Sequence, residues 1–460
     1  MPLAVRSNPV YFGALGPDCP AREMALEGLV LTLVSLGMVA SLVAFISVQQ
    51  AIKYQLKPDE LFSTTIVNSP LYYVAHVTET ILLVSAGLVA LMFTKWRTIE
   101  RGYFLRFALF LGAALLMTAR SFSFSELLST KIADWSGPFP LFVSVLVFVG
   151  ARRRNWAFLD ATMVVMAVLF SVLTLVGMAG LRTFTRQEGV ASLGVILNTL
   201  YWPASWVALR DYPQHSPTRR FRLGPLVIFG FGGLLTQTRL LFVMLFSSLI
   251  MYAYVQHRRK IPQATGWLVG IALTVWIGLF TAVFLKDTRG FEKVASVADA
   301  FSSRLSEDTR TGQLLSFEGS VQLHELVLGR GALATWNWGG MAWRGGTDIG
   351  YLTLLFCGGI PLLLAYVATH LKPCLTVFRK NRATWQLTGA GVVLLWWFHL
   401  FSSGYPAADL GYYPILFCTG ACISRESSQQ VRSSRRGKTH RGVSRFIQPQ
   451  TPEGVPQSAP

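Results

Sequence analysis

The sequence predicts an all-α polytopic membrane protein, with about twelve transmembrane helices and one large extracytoplasmic loop. Three observations carry that prediction. Long apolar segments recur along most of the chain, only 14% of residues are charged, and the basic residues cluster in alternate connections between the apolar runs.

The 460 residues are 52% hydrophobic, and a soluble domain carries about 25% charged residues. The deficit puts most of the surface against lipid. Thirteen Trp and 31 Phe suit rings anchored at a membrane interface. The net charge of +18 sits mainly in short loops and the tail, which orients a membrane protein rather than binding nucleic acid. The five cysteines, Cys19, Cys357, Cys374, Cys418 and Cys422, show no metal-ligand pairing and no disulfide framework. No metal and no cofactor are expected. Residues 1–26 lack a compact signal pattern, so insertion is expected to use the first spanning helix.

A spanning helix needs about 20 mostly apolar residues. The candidates are 27–48, 71–94, 104–119, 138–151, 156–180, 190–209, 222–236, 240–256, 266–285, 348–369, 385–403 and 409–423. This divides the chain into a cytoplasmic segment 1–26, a nine-helix region 27–285, a large loop 286–347, a three-helix region 348–423 and a basic tail 424–460. Rich in Ser, Arg, Gln and Pro, the tail has too few apolar residues to fold; it reads as a disordered cytoplasmic end without a role, with a place on anionic lipid as the alternative. There is no internal repeat, and the long loop lies only in the second half, against a simple two-halved carrier.

Alternate connections carry Lys95, Arg97 and Arg101; Arg152 to Arg154; Arg219, Arg220 and Arg222; His257 to Lys260; and Lys372, Arg379, Lys380 and Arg382. The tail adds Arg425, Arg432, Arg435 and others. With twelve spans all of these fall on one side. The positive-inside rule makes that side cytoplasmic, with both termini, and puts the loop 286–347 outside.

Arginines on an outer face need a reason. Arg289, Arg304, Arg310, Arg330 and Arg344 lie in that loop. A guanidinium fork binds phosphate or carboxylate bidentately, so an anionic ligand is one reason. Pairing with Glu307, Asp308, Glu318 or Glu325 is the other. Apolar spacing predicts amphipathic helices over 292–305 and 311–327, then a turn at Gly329-Arg330-Gly331. Trp336, Trp338 and Trp343, mixed with Gly, suit a loop that stacks on sugar rings or anchors at the interface.

Arg239 lies in the tight turn between two apolar runs, where a charge is either functional or snorkels to the headgroups. Asp348 opens an apolar helix, where the helix dipole alone stabilises a carboxylate. It is also a candidate base for a hydroxyl proton, with His324 and Glu325 as alternatives. His76 and Glu79 share one helix face and could hydrogen-bond each other or line a cavity. Asp160, Asn198 and His399 read as interhelical hydrogen-bond partners. There is no phosphate-cradling GxxxxGK[ST], HExxH or Ser elbow, so ATP-driven chemistry is not indicated.

Three segments together resemble the O-antigen polymerase and ligase superfamily of bacterial envelope polysaccharide assembly. They are Leu234-Leu-Thr-Gln-Thr-Arg239; Asp308-Thr-Arg310 followed by Leu328-Gly-Arg-Gly331; and Asp348-Ile-Gly-Tyr running to Gly359. Where the family's ligases have His-Asn, this chain has Asp348 at the His position, and an Asp there is more typical of polymerases. The resemblance covers about residues 222–370. It implies a polysaccharide polymerase of the bacterial inner membrane that joins undecaprenyl-pyrophosphate-linked repeat units without a metal. It also implies that Arg239 and Arg310, with Arg330, hold pyrophosphate while Asp348 orients or deprotonates the acceptor hydroxyl. A ligase or a lipid-linked sugar transporter is the alternative. Inner-membrane lipid, a chain-length regulator and a flippase are the expected partners beyond the substrate.

Overall fold

The computed structural model describes residues 21–55, 70–94, 98–120, 139–181, 186–212, 221–236, 239–258, 316–317, 319, 321–331, 334–338, 341–344, 350–379, 383–400 and 412–425. The expected helices over 266–285, 292–305 and most of the tail lie outside these residues.

The described elements are almost all helical. They run α1 (Ala21–Gln55), α2 (Pro70–Phe93), α3 (Tyr103–Arg120), α4 (Phe139–Phe142), α5 (Val147–Gly150), α6 (Trp156–Ala179), α7 (Arg186–Leu209), α8 (Gly224–Thr236) and α9 (Arg239–Arg258). Then come α10 (Leu323–Leu328), β1 (Thr335–Trp338), β2 (Met341–Arg344), α11 (Gly350–Cys374), α12 (Thr384–His399) and α13 (Tyr412–Ile423). Among the described residues six helical stretches are long and apolar enough to cross a membrane: Glu23–Ser47, Pro70–Phe93, Tyr103–Arg120, Arg153–Ala179, Leu240–Arg258 and Gly350–Phe378. Two shorter apolar helices are Gly224–Thr236 and Tyr412–Ile423.

These helices keep apolar side chains on both faces. Val39, Leu71, Ile81, Leu105, Val165 and Ile250 are exposed, while Val34, Leu83, Phe110 and Phe170 are buried. In lipid the hydrophobic effect does not hold such helices together; close packing and interhelical hydrogen bonds do. Gly150 and Gly420 show the packing. A side chain at Gly150 would strike the Phe417 backbone, and one at Gly420 would strike Val147 and Ala151. The two backbones therefore touch, and α13 seals against α5.

The expected span 138–151 is not one regular helix, because α4 passes through a 3-10 turn, Val143–Leu146, into α5. That tighter turn lies where Gly87 of α2 meets Val145 and Leu146. The expected helix 311–327 is also altered. A helix restarts only at Leu323, after Gln322 in an extended conformation. The Trp-rich run expected as a loop forms an antiparallel ribbon, with Trp336 opposite Trp343 and Trp338 opposite Met341.

Contacts between distant segments gather the basic residues at one end of the bundle. Arg152 and Arg154 pair with Glu27 at 2.6 and 3.6 Å. Arg106 pairs with Glu100 at 3.2 Å, and Lys372 reaches the same carboxylate. The Arg425 backbone N–H donates to Thr98, Gln386 caps the α13 terminus through Ala421 and Ser424, and Arg258 donates to the Arg379 carbonyl. At the other end the Gly350 N–H donates to Leu400, and Tyr351 Oη donates to the Trp397 carbonyl.

Candidate functional site

At that second end the structure joins two segments that the sequence places apart. Helix α11 breaks at Gly359, which has φ +70° and ψ −172°. In a regular helix the Phe356 and Cys357 carbonyls accept from positions 360 and 361. Position 361 is Pro and has no N–H to give. The Arg330 N–H donates to Phe356 and the Gly331 N–H to Cys357, both at 2.8 Å. The Gly329-Arg330-Gly331 turn thus supplies the donors that α11 lacks, as buried carbonyls require.

The fit is backbone on backbone. A side chain at Gly329 would meet Cys357, Gly358 and Gly359 at 2.5–2.6 Å, and one at Gly359 would meet Val327, Leu328 and Gly329 at similar distances. Both residues have positive φ, which glycine adopts without penalty. Only glycine satisfies either position.

This clasp fixes Arg330. Its guanidinium lies 5.3 Å from the Phe356 ring centroid and pairs with Glu325 at 2.7 Å. Glu325 also closes a capping box at the start of α10, accepting from the Gln322 N–H at 2.8 Å. The Arg330 hydrogen bond, then the Gln322 N–H, hold the Glu325 carboxyl below its ordinary range. Phe317 packs edge-on against Phe356 below the clasp, with ring centroids 5.3 Å apart. Arg120, the last residue of α3, donates to the Leu328 carbonyl and ties a third helix to the clasp.

The expected site residues separate as follows. Arg330 pairs with Glu325 of α10 and lies over Phe356 of α11, and His324 is exposed on α10. Arg239 is the first residue of α9; its side chain lies outside the description. Trp336 and Trp338 belong to β1, described by backbone register alone. Asp348, Arg304 and Arg310 fall outside the described residues. Arg120 was missed, although an Arg closing an apolar helix is the available signal.

A second polar cluster is buried between α2 and α13. His76 Nδ1 lies 3.0 Å from Glu79 Oε2, Tyr413 Oη donates to the other carboxylate oxygen, and Tyr72 stacks on His76. All four residues are buried. Asp160 accepts from Trp206 at 2.9 Å and pairs with Arg210 at 2.7 Å, an interhelical role. Among the described residues no group of His, Cys, Asp and Glu is arranged to hold a metal.

Chemically, the clasp sets the Arg330 guanidinium against the Glu325 carboxylate and the Arg120 guanidinium against a backbone carbonyl; a guanidinium fork is also the group that binds phosphate or carboxylate bidentately. No family model, no curated protein and no solved structure matches the chain.

Proposed function

We propose that the chain is a metal-independent glycosyltransferase of the bacterial inner membrane. It would polymerise lipid-linked oligosaccharide repeat units, carried on undecaprenyl pyrophosphate, on the outer face of that membrane for O-antigen or exopolysaccharide. The observation that carries this reading is the clasp. Two of the segments that resemble the O-antigen polymerase and ligase superfamily, Leu328 to Gly331 and Asp348 to Gly359, meet in space through Gly329 and Gly359.

The basic end supports the topology behind it. Segments around Glu27, Glu100, Arg152, Arg258, Lys372 and Arg425 lie together, as twelve spans with both termini cytoplasmic require. The clasp lies at the opposite end, which this topology makes extracytoplasmic.

In the proposed reaction an acceptor hydroxyl oxygen attacks the anomeric carbon of the donor sugar. The bond from that carbon to the diphosphate oxygen breaks, and the polyprenyl diphosphate leaves. Asp348 takes the hydroxyl proton. Arg239, Arg310 and Arg330 stabilise charge on the departing diphosphate, and Trp336 and Trp338 stack on sugar rings. A chain-length regulator and a flippase are partners that would suit this role.

Deletion followed by gel analysis of lipid-linked glycan tests the proposal. Accumulation of a single repeat unit supports polymerisation. Full-length polymer that fails to reach its final acceptor indicates a ligase. Unchanged glycan refutes both.

A further inference from the structure

We propose that Glu325 is the resting occupant of an anion site on Arg330, and that a phosphate-bearing ligand enters by taking its place. This rests on the reading that the clasp handles a phosphate-linked substrate, and adds how the site stays closed until one arrives. An anion already sits there, since the Glu325 carboxylate lies 2.7 Å from the Arg330 guanidinium.

The two partners are held very differently. Arg330 is built in. Its own N–H and that of Gly331 donate to the Phe356 and Cys357 carbonyls, and its guanidinium lies over the ring of Phe356, which is fully buried. Glu325 rides on α10, a helix of six residues with none buried. One of its oxygens, Oε2, accepts from both the Arg330 guanidinium and the Gln322 N–H. Release of Glu325 therefore breaks one ion pair and one capping bond, and leaves the cation in place.

That ion pair is open to water, with the Arg330 and Glu325 side chains 26% and 22% exposed. Exposed pairs are weak because solvent screens them. A phosphate group has more to offer. It presents several oxygens to the guanidinium fork and carries more charge than a carboxylate. Two anions on one guanidinium repel each other, so phosphate and Glu325 exclude one another. The carboxylate thus holds the site against weaker anions and yields to a phosphate.

Glu325→Gln separates charge from structure, because glutamine at that position also closes a capping box. The full-length protein in phosphatidylcholine nanodiscs would be titrated with inorganic pyrophosphate, and separately with decyl diphosphate as a membrane-borne probe. Glu325→Gln should tighten binding about five-fold, the upper end for an exposed ion pair. Arg330→Gln should weaken it about ten-fold, the scale of one charge-assisted hydrogen bond. Tightening with either probe supports the inference, and the probe that responds shows whether the phosphate arrives free or on a lipid. Hydrogen exchange gives a second reading. Pyrophosphate should speed exchange at the Gln322 amide of the wild type, as its carboxylate partner leaves, but not in Glu325→Gln. It should leave the Arg330 and Gly331 amides as protected as before.

Equal affinity in the wild type and Glu325→Gln overturns the inference, and so does failure of both probes to bind. Binding that ignores Arg330→Gln, or that leaves the wild-type Gln322 amide unchanged, also overturns it, since the carboxylate then stays where it is. Glycan gels separate this inference from the polymerase reading. A single repeat unit accumulating on deletion, with affinity indifferent to Glu325→Gln, sinks the exchange of anions alone. Tighter binding in Glu325→Gln, with glycan unchanged on deletion, sinks the polymerase alone.

Discussion

At the basic end of the bundle, cations meet carboxylates: Arg152 and Arg154 share Glu27, and Arg106 and Lys372 share Glu100. At the clasp end Arg330 also meets a carboxylate, that of Glu325, but Arg120 meets a backbone carbonyl and the turn itself is held by main-chain hydrogen bonds to a broken helix. The first arrangement ties connecting segments together through side-chain ion pairs. The second uses glycine geometry to fix a turn, and with it the position of the Arg330–Glu325 pair. The difference is one of means: side-chain ion pairs join segments at the basic end, and backbone fit joins them at the clasp.

The largest effect should come from breaking the clasp itself. Gly359→Val imposes a positive φ on a β-branched residue and drives its side chain into the Leu328 backbone. We expect a loss of about 2–4 kcal/mol and no polymer, read by thermal unfolding and glycan gels. Gly28→Val, in α1 where a side chain meets nothing within 4 Å, is the control and should leave polymer intact.

Glu100→Gln comes next and probes the other side of the comparison. It leaves Arg106 and Lys372 without their shared anion. The side chains are only partly buried, so about 1–2 kcal/mol of stability should go, while glycan transfer per folded molecule stays the same. A specific loss of transfer would show that the basic end does more than orient the chain.

A smaller, pH-dependent effect belongs to Glu325. Its carboxyl is held below the ordinary glutamate value by Arg330 and the Gln322 N–H, so it contributes stability above the unfolded-state pKa. That contribution is lost as pH falls through the lower folded-state pKa. Wild type should therefore lose clasp protection in hydrogen exchange on acidification below pH about 4, the reference range of carboxyls. Glu325→Gln should show weaker protection at neutral pH and no such acid step. An equal step in the variant would place the titration elsewhere. The smallest effect is expected at His324, exposed on α10, where His324→Ala should shift stability by less than about 0.5 kcal/mol.

Helices were the most legible feature of this sequence because a membrane imposes length and apolarity on each segment separately. Runs 71–94, 104–119 and 156–180 match Pro70–Phe93, Tyr103–Arg120 and Trp156–Ala179 within a residue or so. The Gly329-Arg330-Gly331 turn was legible from its glycines. Its partner was not. Gly358-Gly359-Ile360-Pro361 reads as helix by hydropathy, although Gly and Pro so close together signal a break. The Trp-rich ribbon carried a hairpin signal, aromatic residues alternating about Gly339-Gly340, that a search for spanning helices passes over. Arg120 joins Leu328 across 208 residues, and the Tyr413 bond to Glu79 crosses 334. Periodicity reports which face of one helix is apolar, not which distant residue lies against it.

Sidedness of the two ends is the point on which the functional account stands. Cysteine placed at His324, and separately at Arg379, can be tested with a membrane-impermeant maleimide in intact cells. The native Cys357, Cys374, Cys418 and Cys422 are buried and give little background, and Cys19 is replaced by Ser. The account predicts labelling at 324 in intact cells and at 379 only after the membrane is opened. Labelling at 379 but not 324 in intact cells would put the arginine clasp in the cytosol, away from any lipid-linked donor on the outer leaflet, and would contradict it.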